Sequence, residues 1–197
     1  MHLSLNVKSR LVPFFFQLLG HGFSVNVMTG SSVKNVLCEQ LEIDEDYLAQ
    51  RIQTIFLNGK VVDDNNSAIV NEDSVLALSG AMPGLAGAIL RSGGYYAAMR
   101  NQISHEESKS SSQAQFAKIT LKLMNLVVKE LGPVFLQQGI RLKSQSLCEF
   151  FKRHLDELKD GFISSELDGE PVEFESLRGI DWNADTVLLQ VNSETVG

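Results

Sequence analysis

IQTIFLNGKVVDDNNSAIVNEDSVLALSG, residues Ile52–Gly80, is the stretch whose reading decides the fold. Ile55, Phe56 and Leu57 run into Asn58-Gly59, a pair suited to the positive φ of a tight hairpin turn, and Val61-Val62 leave that turn. After a polar interval, Val75, Leu76, Ala77 and Leu78 form a short apolar run bounded by Asp73 and Gly80, the profile of a buried strand. The stretch therefore predicts two strands, with a turn on the first. It carries no chemistry of its own.

Upstream, Leu3, Leu5 and Val7 alternate with Ser4, Asn6 and Lys8, which predicts a half-buried strand. Pro13 opens PFFFQLL, which ends at Gly20-His21-Gly22; proline near the start and glycine past the end fit a short helix. Phe23, Val25 and Val27 alternate again. Gly30-Ser31-Ser32 then leads into Val33, Val36, Leu37 and Leu41, spaced for one helical face behind a serine cap. The acidic IDEDYLAQR that follows fits a connection or a short extra helix.

Composition bounds the function classes. The 197 residues are 44% apolar and 21% charged, ordinary for a globular protein. A net charge of −7 argues against a general nucleic-acid surface. The longest apolar runs, such as Val12 to Phe16, fall far short of the roughly 20 residues of a bilayer span, so no membrane partner is expected. MHLSLNVKSR lacks the apolar core of a signal peptide, and the expected location is the cytoplasm. Cys38 and Cys148 have no CxxC partner and fit buried structural thiols.

Three motifs carry a family resemblance: GSSVKNVLCEQL (30–41), FLNGKVV (56–62) and NEDSVLALSGAMPG (71–84). Their order resembles the ubiquitin-like β-grasp fold, in particular the small sulfur carriers of molybdopterin and thiamine biosynthesis. The resemblance covers residues 1–84 and implies a small mixed sheet curled round a single helix. Those carriers end in a free Gly-Gly whose carboxylate is adenylated and then converted to a thiocarboxylate. Here Gly80 is followed by Ala-Met-Pro-Gly, and Gly93-Gly94 lies within the chain. A carrier role would need cleavage after Gly94.

The apolar, Gly-rich exit GAMPGLAGAILRSGGYYAAMR has no phosphate-loop signature. It does gather Met82, Arg91, Tyr95, Tyr96, Met99 and Arg100, the residue types enriched at protein contacts. SHEESKSSSQ (104–113) then reads as a linker. The expected organisation is a β-grasp domain at 1–84, an exit segment and linker at 85–114, and a second α+β domain at 115–197.

The second half repeats the grammar of the first. Leu37-Cys38-Glu39 recurs as Leu147-Cys148-Glu149, and Leu57-Asn58-Gly59-Lys60 as Leu167-Asp168-Gly169-Glu170. Asp73-Ser74-Val75-Leu76 is echoed by Asp185-Thr186-Val187-Leu188, Leu3-Ser4-Leu5 by Ile119-Thr120-Leu121, and Gly22-Phe23 by Gly139-Ile140. Ser146 and Glu149 fit a capping box ahead of the face Leu147, Phe150, Phe151, His154, Leu155 and Leu158. Phe116 to Leu131 also fits a single amphipathic helix, so periodicity leaves strand and helix both open there.

Catalytic and metal signatures are missing. His2, His21, His105 and His154 are scattered, HEES lacks a second histidine, and the acidic clusters fit solvated loops. No cofactor, catalytic residue or metal ligand is expected. The expected function is a non-enzymatic binding or adaptor protein that contacts a protein partner, or another copy of itself, through its Gly-rich exit. The alternative is a sulfur-carrier precursor activated at Gly93-Gly94.

Overall fold

Alternation puts Leu3, Leu5 and Val7 of strand β1 (His2–Lys8) on the buried side, with polar residues between them only half covered. In this computed structural model, which describes residues 1–91, 94–95 and 114–194, a 3-10 turn (Ser9–Phe15) and helix α1 (Phe16–His21) follow. Strand β2 (Phe23–Met28) and the two-residue strand β3 (Ser31–Ser32) lead to helix α2 (Val33–Asn35), which continues as a π-helical turn (Val36–Gln40). Helix α3 (Glu45–Arg51), the hairpin of β4 (Thr54–Leu57) and β5 (Lys60–Val61), β6 (Ile69–Val70) and β7 (Val75–Ser79) complete the first run.

Helix α4 (Gly84–Leu90) forms the exit. The second run holds β8 (Phe116–Met124), α5 (Leu126–Gln138), β9 (Ile140–Lys143) and α6 (Ser144–Leu158). It ends with β10 (Phe162–Leu167), β11 (Glu170–Pro171) and β12 (Thr186–Glu194). The chain is α+β, with mixed sheets. Strand, helix, strand, helix, hairpin and final strand occur in the same order in both runs.

Two compact units form, and they do not follow the 1–84 and 115–197 division read from the sequence. One comprises Met1–Phe23 with Val128–Gly197, the other Ser24–Val127. The sheet of the second is not closed by β1. Its strand order is β2-β8-β7-β4-β5, with β7 parallel to β8 (Leu76↔Leu121, Leu78↔Leu123) and antiparallel to β4 (Phe56↔Ala77). Phe56 and Val75 thus share a sheet, as the opening stretch predicts. The helix expected from Val33 to Leu41 ends in the π turn; Glu42, at φ 55°, separates it from α3, the short extra helix that IDEDYLAQR allowed, which Asp44 caps by accepting from the Tyr47 N–H. Gln40 makes the π turn a fixture. Its amide accepts from the Met28 N–H at 2.7 Å and donates to Asn35 at 2.9 Å.

In the other unit the strand order is β11-β10-β1-β12-β9. β1 runs parallel to β12 (Leu5↔Val191) and antiparallel to β10 (Leu5↔Ser165). The core lies under these strands. Phe150 of α6 stacks on Phe15 (5.2 Å), Phe151 (5.5 Å) and the His154 ring (5.3 Å), so the long apolar face predicted for α6 is the buried one. Gly161 lies so close to Leu11 that an added Cβ would come within 2.6 Å of its Cγ.

Two local readings are corrected, and one that periodicity left open is decided. The Ser146–Glu149 box does not form: α6 begins at Ser144, whose hydroxyl donates to the Ala184 carbonyl, so a tertiary contact sets the helix start. Residues 116–124 are a strand, and helix begins only past Asn125, at φ 56°. Cys38 and Cys148 are free thiols, half-buried where full burial was expected.

Candidate functional site

The exit begins at Gly80, packed so tightly beside Leu126 that a Cβ there would lie 3.2 Å from that side chain's own. Ser79 just before it is buried, its hydroxyl taking a 2.7 Å hydrogen bond from the Asn125 side chain. The end of β7 is therefore pinned on both sides. Pro83 is the N-cap of α4, in extended backbone, and Gly84 takes φ +76°. Gly87 then comes against the backbone of Met82, where a Cβ has no room, so the helix folds back on its own entry. After α4, the Arg91 N–H donates to Gly87 O at 3.1 Å and the Gly94 N–H to Arg91 O at 3.1 Å.

Of the residues singled out in the sequence, Met82 is half-buried at the start of this element, Arg91 is exposed at its end, and Tyr95 is 94% exposed. Gly94 is half-buried, its N–H on the Arg91 carbonyl. Tyr96, Met99, Arg100 and Gly93 lie outside the described residues. Leu85, not singled out from sequence, is 67% exposed on the first turn of α4. The signal for it was Pro83, which marks the helix start and so puts Leu85 on a short helix with few residues to cover it.

Elsewhere the chemistry is sparse. In the unit containing α6, Gln17, His21, Ser146, Glu149, Phe150 and Arg153 line a cleft of about 90 Å³, enough for a few waters and far below a small-molecule pocket. Arg153 sits 3.7 Å from Glu149 across one helical turn, so their charges offset each other at its mouth. Burial, with Glu45 next in effect, pushes the Cys38 thiol above its ordinary value and disfavours the nucleophilic thiolate. His154 binds Glu157 at 2.6 Å while its ring covers Phe150, a packed residue at the core edge. Among the described residues no three His, Cys, Asp or Glu side chains converge as a metal site would require, and no helix is long and apolar enough to cross a membrane.

No protein-family model, curated protein or solved structure matches the chain. The residues and their geometry carry the functional reading unaided.

Proposed function

We propose that this is a non-enzymatic binding or adaptor protein built on two ubiquitin-like β-grasp domains, the second a diverged duplicate of the first, with the exit element after β7 as its contact surface. The strand orders support the scaffold. Each unit has a parallel central pair, β7 with β8 and β1 with β12, and a short hairpin at one side, β4-β5 and β10-β11. Both hairpins turn on equivalent pairs at positive φ: Asn58 and Gly59 at 52° and 79°, Asp168 and Gly169 at 52° and 88°.

The observation that carries the contact role is the exposure of Leu85 and Tyr95 in the exit that leaves the pinned end of β7 at Gly80. Burial of that leucine and tyrosine against a protein partner or a second copy supplies affinity. The sulfur-carrier alternative draws less support, because residues Gly84–Leu90 form a helix where a carrier needs an extended tail.

The test is a Leu85→Asp, Tyr95→Ala double variant, compared with native protein in solution mass and in quantitative pull-down. The expected result is unchanged circular dichroism and a loss of binding or self-association of at least about tenfold. An unchanged partner set and an unchanged mass would sink the reading. Intact mass from native cells addresses the alternative: a chain ending at Gly94 supports it, and a full-length chain throughout removes it.

A further inference from the structure

β1 and β8 open the two runs, and each lies in the unit built mainly from the other run. β1, with the rest of Met1–Phe23, belongs with Val128–Gly197, and β8 with Ser24–Val127. Both are held centrally. β1 pairs with β12 from His2↔Leu188 to Lys8↔Glu194 and, on its other edge, with β10 from Leu3↔Leu167 to Val7↔Phe162. β8 pairs with β7 from Val75↔Thr120 to Ser79↔Met124 and has β2 on its other edge. Each buries alternate residues: Leu3, Leu5 and Val7 in one, Ile119, Leu121 and Leu123 in the other. Removing either would split a sheet in two, leaving facing edges without backbone partners and their apolar residues bare.

We infer that reciprocal exchange of these opening strands, not the covalent link between β7 and β8, holds the molecule together. A chain cut within residues 96–113 then stays a one-to-one complex of its two fragments, because each fragment supplies a central strand to the other. The inference rests on topology alone, so it stands or falls separately from the partner-binding role.

The experiment introduces a specific protease site into Ser108–Gln113 of the full-length protein, cuts the folded chain, and measures its mass by native mass spectrometry and light scattering. The expected result is one species at the mass of the uncut protein, separating into two only in denaturant. Two fragments that part under native conditions, whether folded or aggregated, overturn the inference.

Hydrogen exchange on Leu5→Ala gives a second readout, with Leu5→Val in its place if the alanine variant does not fold. Amides at 187–191 should exchange faster, by roughly tenfold or more in the alanine variant, while those at 76–78 change less. Leu121→Ala should reverse the pattern. Equal or greater acceleration at 76–78 in the Leu5 variant overturns the exchange.

Discussion

The two units solve one packing problem with different helices. Where the first run has Leu37-Cys38-Glu39-Gln40, the second has Leu147-Cys148-Glu149-Phe150, and that last position decides the outcome. Gln40 turns back to hydrogen-bond Met28 and Asn35, and its helix is π-helical there and stops at Leu41. Phe150 instead drops its ring among Phe15, Phe151 and His154, and α6 runs unbroken for 15 residues. A polar side chain tied to the backbone of a neighbouring strand ends a helix that an apolar one extends by burial. The sheets differ too. The last strand of the run, β7, stands beside the hairpin in one unit; in the other β1 takes that place and β12 stands next to β9. A parallel central slot is thus filled by whichever strand has the right direction and alternation.

The sharpest way to break this comparison is to truncate both members of the pair. Phe150→Ala, at a residue 3% exposed, should cost about 3–5 kcal/mol. Gln40→Ala should cost about 1–2 kcal/mol, through the Met28 N–H left without its partner. Urea melts of the two variants check the ratio, and equal losses would mean that the two helices are held by the same forces.

A smaller effect tests the shared hairpins. Gly59→Ala and Gly169→Ala meet nothing within 4 Å, so each should cost only the strain of positive φ, about 1–2 kcal/mol and nearly the same for both. Thermal denaturation showing one variant much worse than the other would mean that the turns are not equivalent.

The smallest concerns a loop that only the first run has. Asp64 accepts from the backbone N–H of Asn66, with Ser67 and the Asn66 side chain adding to it, which holds its carboxyl below the ordinary 3.8. A lowered folded-state value means stability that is present above pH 3.8 and lost as pH falls through that lower value. The stability gap between native protein and Asp64→Asn should therefore shrink in acid. A gap that stays constant down to pH 2, about two units below the ordinary carboxyl, would remove the effect.

Much of the local structure was legible. Asn58-Gly59, Asp168-Gly169 and the run Val75–Leu78 fall where turn chemistry and apolar clustering put them. The route of β1 was not. Its alternation states which side chains are buried and is silent on which sheet buries them, because a period of two is the same beside any neighbour. The start of α6 was missed for a related reason: Ser144 is fixed by Ala184, 40 residues away, and no local pattern encodes that. At the exit, tyrosine and arginine chemistry drew attention to Arg91 and Tyr95, both of them exposed. Leu85 became visible only once α4 proved too short to cover it.

The pairing of β1 with β12 also bears on how the molecule is made. His2 and Gln190 meet across 188 positions, so the strand that leaves the ribosome early has no edge to join until one synthesised much later emerges. During that wait Leu3 and Leu5 have no sheet to cover them. This unit's sheet can therefore close only once β12 has been made.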